Sequence, residues 1–290
     1  MNITIQNENL RAVFAVKGAE LQSLFNTNTN IEYMWNGDPA FWPKHSPVLF
    51  PTVGPLKDDT YYYNEKKYSL LRHGFAKEKE FEVEKVSESE VVFTLSQSPE
   101  SLEIYPFDFV LKLRYTLDGA KLTCGYEVYN PGTQELLFSV GAHPAFAVPM
   151  VKDTVYSDYF LEFNKKEELH RLELKNGGFI AGGRDVFPTE NNRIPLQHSL
   201  FYGEAIVFEH LQSNCITVGS DLHKHGIHFH FEGFPCFVVW AFKDAPFVCL
   251  EPWCGFSDTM NHNQQLKDKK GIIPLAPGAA FHRNWSVECF

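Results

Sequence analysis

Long apolar runs are missing from this 290-residue chain, and none approaches the roughly 18–20 consecutive apolar residues a membrane helix needs. Its opening, MNITIQNENLRAVF, has no basic segment followed by an apolar stretch. No secretion signal is therefore expected, and the cytoplasm is the expected compartment. Positive charge is scarce too. Lys plus Arg number 26 against 36 Asp plus Glu, a net charge of −10. Nucleic acid and anionic membrane both select clustered cations, so neither is expected as a partner. The six cysteines contain no C-x-x-C pair, which excludes a zinc ribbon or redox pair by spacing and leaves free buried thiols. No fixed-period repeat, low-complexity run or Ser/Gly linker interrupts the chain, so one domain over residues 1–290 is expected. Helical periodicity is hard to find. Only Ile194 to Phe201 suggests a short helix.

What the chain does have is aromatic mass, 15% of residues, which excludes disorder, and apolar residues at every second position. Phe109, Leu111, Leu113, Tyr115 and Leu117 alternate with polar neighbours. Asp118-Gly119 then turns the chain, and Leu122, Cys124, Tyr126 and Val128 resume the pattern, which predicts a β-hairpin. Shorter copies lie at Phe81/Val83, Val91/Phe93/Leu95, Ile206/Phe208 and Ile227/Phe229/Phe231, while Phe237-Val238-Val239-Trp240 reads as buried on both faces. The mixed Lys/Glu stretch from Glu78 to Glu90 reads as an exposed hairpin. An all-β fold of many antiparallel strands with little helix follows.

Four segments could carry chemistry. In Arg72-His73-Gly74, Arg and His supply donors suited to hydroxyl oxygens and Gly permits close backbone approach; a turn histidine stacked on aromatics explains it as well. In Gly141-Ala142-His143-Pro144-Ala145, Pro144 holds His143 extended and the small neighbours leave room around an imidazole able to exchange protons near neutral pH, or around a satisfied core histidine. Glu251, in Val248-Cys249-Leu250-Glu251-Pro252-Trp253, is a carboxylate inside an apolar strand, expensive unless paired or functional. Burial would raise its pKa toward that of a useful base. Pro252 should end the strand there, facing Glu251 to a cleft beside Trp253, a flat surface of the kind that stacks on sugars. The fourth segment, His223 to His230, suggests metal binding, but spacing identifies no third ligand. The period-two set at 227, 229 and 231 reads instead as an edge strand with a polar outer face.

Together with Pro47-Val48-Leu49-Phe50-Pro51-Thr52-Val53-Gly54 and Leu275-Ala276-Pro277-Gly278, the segments RHGFA at 72–76, GAHPAF at 141–146 and VCLEPWCG at 248–255 resemble the aldose 1-epimerase (galactose mutarotase) family. Its LacX-like branch of bacterial homologues is the particular match. The resemblance spans nearly the whole chain. It implies a large antiparallel β-supersandwich that interconverts α and β anomers of a small-molecule sugar, a hexose or hexose phosphate, without metal or cofactor. Carried over by motif, Glu251 is the base on the C1 hydroxyl, His143 the acid on the ring oxygen, and His73 a substrate-binding residue that helps place O5. Two departures stand out. Pro55 occupies the position of a family arginine, leaving Lys57 and Arg72 as the nearest cations to compensate. Glu204 aligns where the family has a sugar-binding aspartate. A phosphosugar would want clustered Arg or Lys, and Arg72, Lys57 and Lys77 stand near the motifs. Two competing readings are a carbohydrate-binding protein that kept the cleft and lost turnover, and a two-carboxylate glycoside hydrolase. The latter is disfavoured because the evident partner of Glu251 is a histidine.

Overall fold

The alternation from Phe109 to Val128 becomes a hairpin of strands Val110–Asp118 and Lys121–Tyr129, with Leu113 opposite Tyr126 and Tyr115 opposite Cys124. Leu111, Leu113, Tyr115 and Leu117 are buried on one face, each contributing roughly 1.5–3 kcal/mol by leaving water. Gly119, at φ +54°, makes the turn. The computed structural model describes residues 2–290.

The hairpin belongs to a nine-stranded antiparallel sheet running from Arg193–Pro195 at one edge to Glu82–Ser87 at the other. An eight-stranded sheet lies against it and includes, in order, Leu169–Lys175, Ile206–Glu209, Cys236–Trp240 and Phe247–Cys254. Aromatic pairs fill the layer between the two sheets. Phe231 and Phe237 sit 4.2 Å apart, and Phe163 meets Phe208 edge-on at 5.8 Å. Asn2–Gln6, Leu10–Ala15, Leu21–Asn26 and Ile31–Glu32 form a separate four-stranded sheet. The fold is all-β and antiparallel, as the alternation predicts.

Strand Phe247–Cys254 is buried along its whole length. Its two faces differ because successive side chains alternate. Val248 and Leu250 point to one side, whereas Cys249, Glu251 and Trp253 point to the other, with Val238 and Trp240 of the neighbouring strand. The outer face of this sheet is where a cleft forms.

Several local expectations need correction. Pro252 does not end its strand, which continues to Cys254 with Pro252 opposite Phe237. The strand's other neighbour is broken at this point into Val140–Ala142 and Ala145–Ala147. Leu250 donates its N–H across that side to Pro144, and Pro252, two residues on, lacks a donor where the ladder is interrupted. Strand Ile227–His230 is not an edge; it pairs with Cys215–Ser220 and Ala280–Cys289. Alternation shows that one face is polar, not that one edge is free. Residues 194–201 are not a helix. Strand Arg193–Pro195 precedes a 3-10 turn, His198–Phe201, since Pro195 would remove an interior helical hydrogen bond. The α-helix among the described residues, Pro99–Ile104, was not anticipated, although Ser98 caps it and Pro99 opens it.

Candidate active site

His143 lies in the gap between Val140–Ala142 and Ala145–Ala147, facing the middle of strand Phe247–Cys254. Its Nε2 comes within 3.3 Å of Glu251 Oε2, both side chains nearly withdrawn from solvent. Trp42 stacks on the imidazole at 4.9 Å and 28°, and Trp240 meets it edge-on at 5.5 Å. The room provided by Gly141 serves Trp253 rather than His143, because a Cβ at Gly141 would lie 2.8 Å from Trp253 Cδ1.

This apolar cage decides the electrostatics. Burial pushes the Glu251 carboxyl well above its ordinary range, opposed by the Trp253 indole and the Arg72 charge. Burial also pushes the His143 imidazole down, to about 3, and the charges of Arg72 and Lys77 act in the same direction. Glu251 is thereby the stronger base of the two, so a proton shared by the pair rests on Glu251 and must stand on His143 whenever the imidazole acts as an acid.

His73 approaches the pair from a turn. Its ring stands edge-on to His143 at 5.7 Å and to Trp253 at 5.4 Å. Its backbone takes φ +66°, a left-handed conformation that costs a non-glycine residue about 1–2 kcal/mol. Gly54 donates its N–H to His73 Nδ1 at 3.1 Å, and His73 returns its own N–H to the Gly54 carbonyl. Burial, then the neighbouring His143 and the cations Lys77, Arg72 and Lys269, hold His73 well below its usual pKa. A neutral imidazole that accepts at Nδ1 carries its proton on Nε2, so this ring is a hydrogen-bond donor. Gly54 is required by shape as well. It takes φ +68°, and a Cβ there would lie 2.3 Å from Ser257 Oγ.

These residues line a cleft of about 390 Å³ with Trp42, Lys44, Arg72, Lys77, Glu204 and Trp240. The Gly177 peptide ties two of them together: its N–H donates to Glu204 at 2.7 Å, and its carbonyl accepts from the Arg72 guanidinium. Arg72 reaches the surroundings of Pro55. An atom at the Cβ position of Gly178 would lie 3.6 Å from Arg72 Nη1 and 4.0 Å from Pro55 Cδ. Lys57 is not brought into this cleft. It lines an adjoining cavity of about 440 Å³ that also borders Pro55 and Arg72, and its ammonium donates to the His262 carbonyl.

Beneath both cavities Asp258 is buried with Lys269, Oδ1 to Nζ 2.8 Å. Asp258 also accepts from the Lys57 N–H, donates its own N–H to Pro55 and accepts from the Ile180 N–H, so one carboxylate-bearing residue joins three cleft segments. The His223–His230 residues take separate partners: His223 Nε2 meets Tyr159 Oη at 3.0 Å and His228 Nδ1 meets Thr217 Oγ1 at 2.8 Å. Sequence reasoning did not single out Trp42, the Gly54 N–H or the Asp258–Lys269 pair. The aromatic pair Phe41-Trp42 in an otherwise polar stretch was the one available signal.

Comparison with known proteins identifies relatives of this fold. Protein LacX of Lactococcus lactis subsp. lactis is 32% identical over 286 residues, covering 96% of this chain and 95% of that protein. A galactose mutarotase related enzyme from Lactobacillus acidophilus superposes with a TM-score of 0.96 at 32% identity, covering 100% of this chain and 97% of its own. A galactose mutarotase-like protein from Lactobacillus casei ATCC 334 gives 0.94 at 34% identity, with both chains fully covered. No described helix is long and apolar enough to cross a membrane. The family model for aldose 1-epimerase matches residues 1–283, and the chain belongs to that family of carbohydrate isomerases.

Proposed function

We propose that the protein is a mutarotase, interconverting the α and β anomers of a hexose by acid–base ring opening. Glu251 takes the proton of the C1 hydroxyl while His143, as imidazolium, gives a proton to the ring oxygen. The C1–O5 bond breaks, its electron pair leaves with O5, and an electron pair from O1 completes the aldehyde. Rotation about C1–C2 and the reverse transfers close the ring in either configuration. His73 donates from Nε2 to a sugar oxygen near O5, and Arg72 and Glu204 bound the sugar on the cleft wall. The thiols, all six unpaired and buried, suit a reducing cytoplasm. The net charge of −10 does not suit nucleic acid.

The observation that carries this reading is the 3.3 Å between His143 Nε2 and Glu251 Oε2. O1 and O5 hang from one carbon, so their acid and base must sit side by side. A glycoside hydrolase instead separates two carboxyls by about 5–5.5 Å or 6.5–9.5 Å. Glu204, the other glutamate lining the cleft, already accepts from Gly177. Polarimetry or exchange NMR on freshly dissolved α-anomers tests the proposal, with faster equilibration expected. Pro55, standing where relatives of this family carry arginine, favours the alternative of a sugar-binding protein without turnover. That alternative predicts no acceleration for any common aldose.

A further inference from the structure

Two cations of the cleft lack a counter-ion. Lys44 pairs with Glu78 at 3.0 Å. Arg72 and Lys77, by contrast, form no ion pair with any described carboxylate, in a chain of net charge −10. Backbone carbonyls hold both. The Arg72 guanidinium rests on Gly177, and Lys77 Nζ donates to Arg72 at 2.8 Å and to Gly74 at 2.6 Å. Carbonyls orient a cation without neutralising it. Lys77 has three donors and spends two; Arg72 has five and spends one. The remaining N–H groups have no acceptor among the described residues, and Lys77 is buried enough that its pKa falls to about 8. Keeping two such charges in the lining of one cleft, one of them half-buried, is costly unless an anion completes the site. Glu204 does not complete it, because that carboxylate is turned onto the Gly177 N–H. Both cations line the same cleft as His143 and Glu251, so the anion's place lies within reach of the acid–base pair.

We propose that the sugar taken by this cleft carries a phosphate ester, its dianion held between Arg72 and Lys77 while the ring lies against His73, His143 and Glu251. This rests on the acid–base reading of the same site and deepens it by naming the substrate class. A fork and a point charge lining the same cleft fit a tetrahedral dianion better than the single flat carboxylate of a uronic sugar. Room for the ester lies in the cleft itself, whose lining brings Arg72 and Lys77 together with His73, His143 and Glu251.

Exchange NMR of glucose, galactose, their 6-phosphates and glucuronate with the full chain tests it. The phosphates should show a kcat/KM at least about tenfold above the free hexoses. Arg72→Gln and Lys77→Met should each lower the phosphate value about ten- to a hundredfold, the range of one charge-assisted hydrogen bond, and for Lys77→Met the free-hexose value should change much less. Lys77→Arg should restore most of the preference, which a merely structural lysine would not require. Binding is read separately by calorimetric titration of glucose 6-phosphate and of glucose into Glu251→Gln. If no sugar is turned over but the 6-phosphate binds tighter than glucose and Lys77→Met abolishes that difference, the phosphate site stands and the mutarotase reading falls. Free hexose or glucuronate used as well as the phosphates overturns the phosphate site, as does a Lys77→Met variant that weakens all sugars equally.

Discussion

His143 Nε2 stands 3.3 Å from Glu251 Oε2 with both groups buried, so the two side chains share protons and act as one unit. Ring opening needs one proton on that unit, on the imidazole at the moment of transfer.

The pH profile follows from the directions of the two shifts. Starting from acid, the first proton to leave is the imidazolium's, near 3, because burial depresses His143. The second leaves at the raised Glu251 carboxyl, well above the usual carboxylate range. Activity should therefore rise through the low value and fall through the high one. The plateau should be wider than the interval of about 4.3 to 6.5 set by ordinary Glu and His. Anomer exchange measured across pH, corrected for the spontaneous reaction, checks this. A narrow bell with limbs at the ordinary values would contradict the buried-pair account.

Glu251→Gln keeps the side-chain shape and one acceptor oxygen but cannot take a proton at neutral pH. Turnover should drop about 10²–10⁴-fold with sugar binding largely kept. His143→Asn should behave alike through loss of the acid. A Glu251→Gln enzyme within about threefold of wild type would remove the base assignment.

Because Gly54 fixes the His73 tautomer from the backbone, His73→Asn should raise KM as well as lower kcat. Gly54→Ala should reproduce part of that defect without altering His73 itself, since its Cβ would collide with Ser257 and displace the Gly54 N–H. Steady-state kinetics on the two variants separates positioning from proton transfer. A Gly54→Ala enzyme with wild-type KM and kcat would show that the Gly54 bond is dispensable.

Lys269 is fully buried against Asp258. Lys269→Met strands that carboxylate and should cost about 3–5 kcal/mol of stability. Adding Asp258→Asn should recover part of the loss. Urea unfolding midpoints for the single and double variants decide it; additive losses would mean the pair is not an energetic unit.

Dialysis against a chelator should leave turnover unchanged, because the proposed transfers use Glu251 and His143 alone. Excess zinc should inhibit, since His143, Cys249 and Glu251 place ligand-type atoms within 4.8 Å of one another. Activity lost on chelation and restored by zinc would reverse this account.

Much of the architecture was legible because alternation is local: the hairpin of Val110–Asp118 and Lys121–Tyr129 emerges where the period-two pattern puts it. Errors arose where neighbours decide. Nothing in 227–231 reveals whether a further strand pairs beyond it, and Pro252 could pass through its strand only because the adjacent strand is broken at His143-Pro144. In the cleft, residue types were readable while placement was not. Lys57 and Arg72 were equal candidates beside Pro55, yet backbone bonds to Asp258 and Gly177 send them to different cavities.

The sequence by itself determined the strand pattern, the acidic surface and the presence of His73, His143 and Glu251 in glycine- and proline-marked motifs, because each is a property of neighbouring residues. The tertiary structure alone decided that groups 70 and 108 positions apart meet on one sheet face. It also decided that Trp42 and Trp240 cage the imidazole and that Glu251 becomes a stronger base than His143. Proximity and desolvation come from packing distant segments together, and no local pattern carries them.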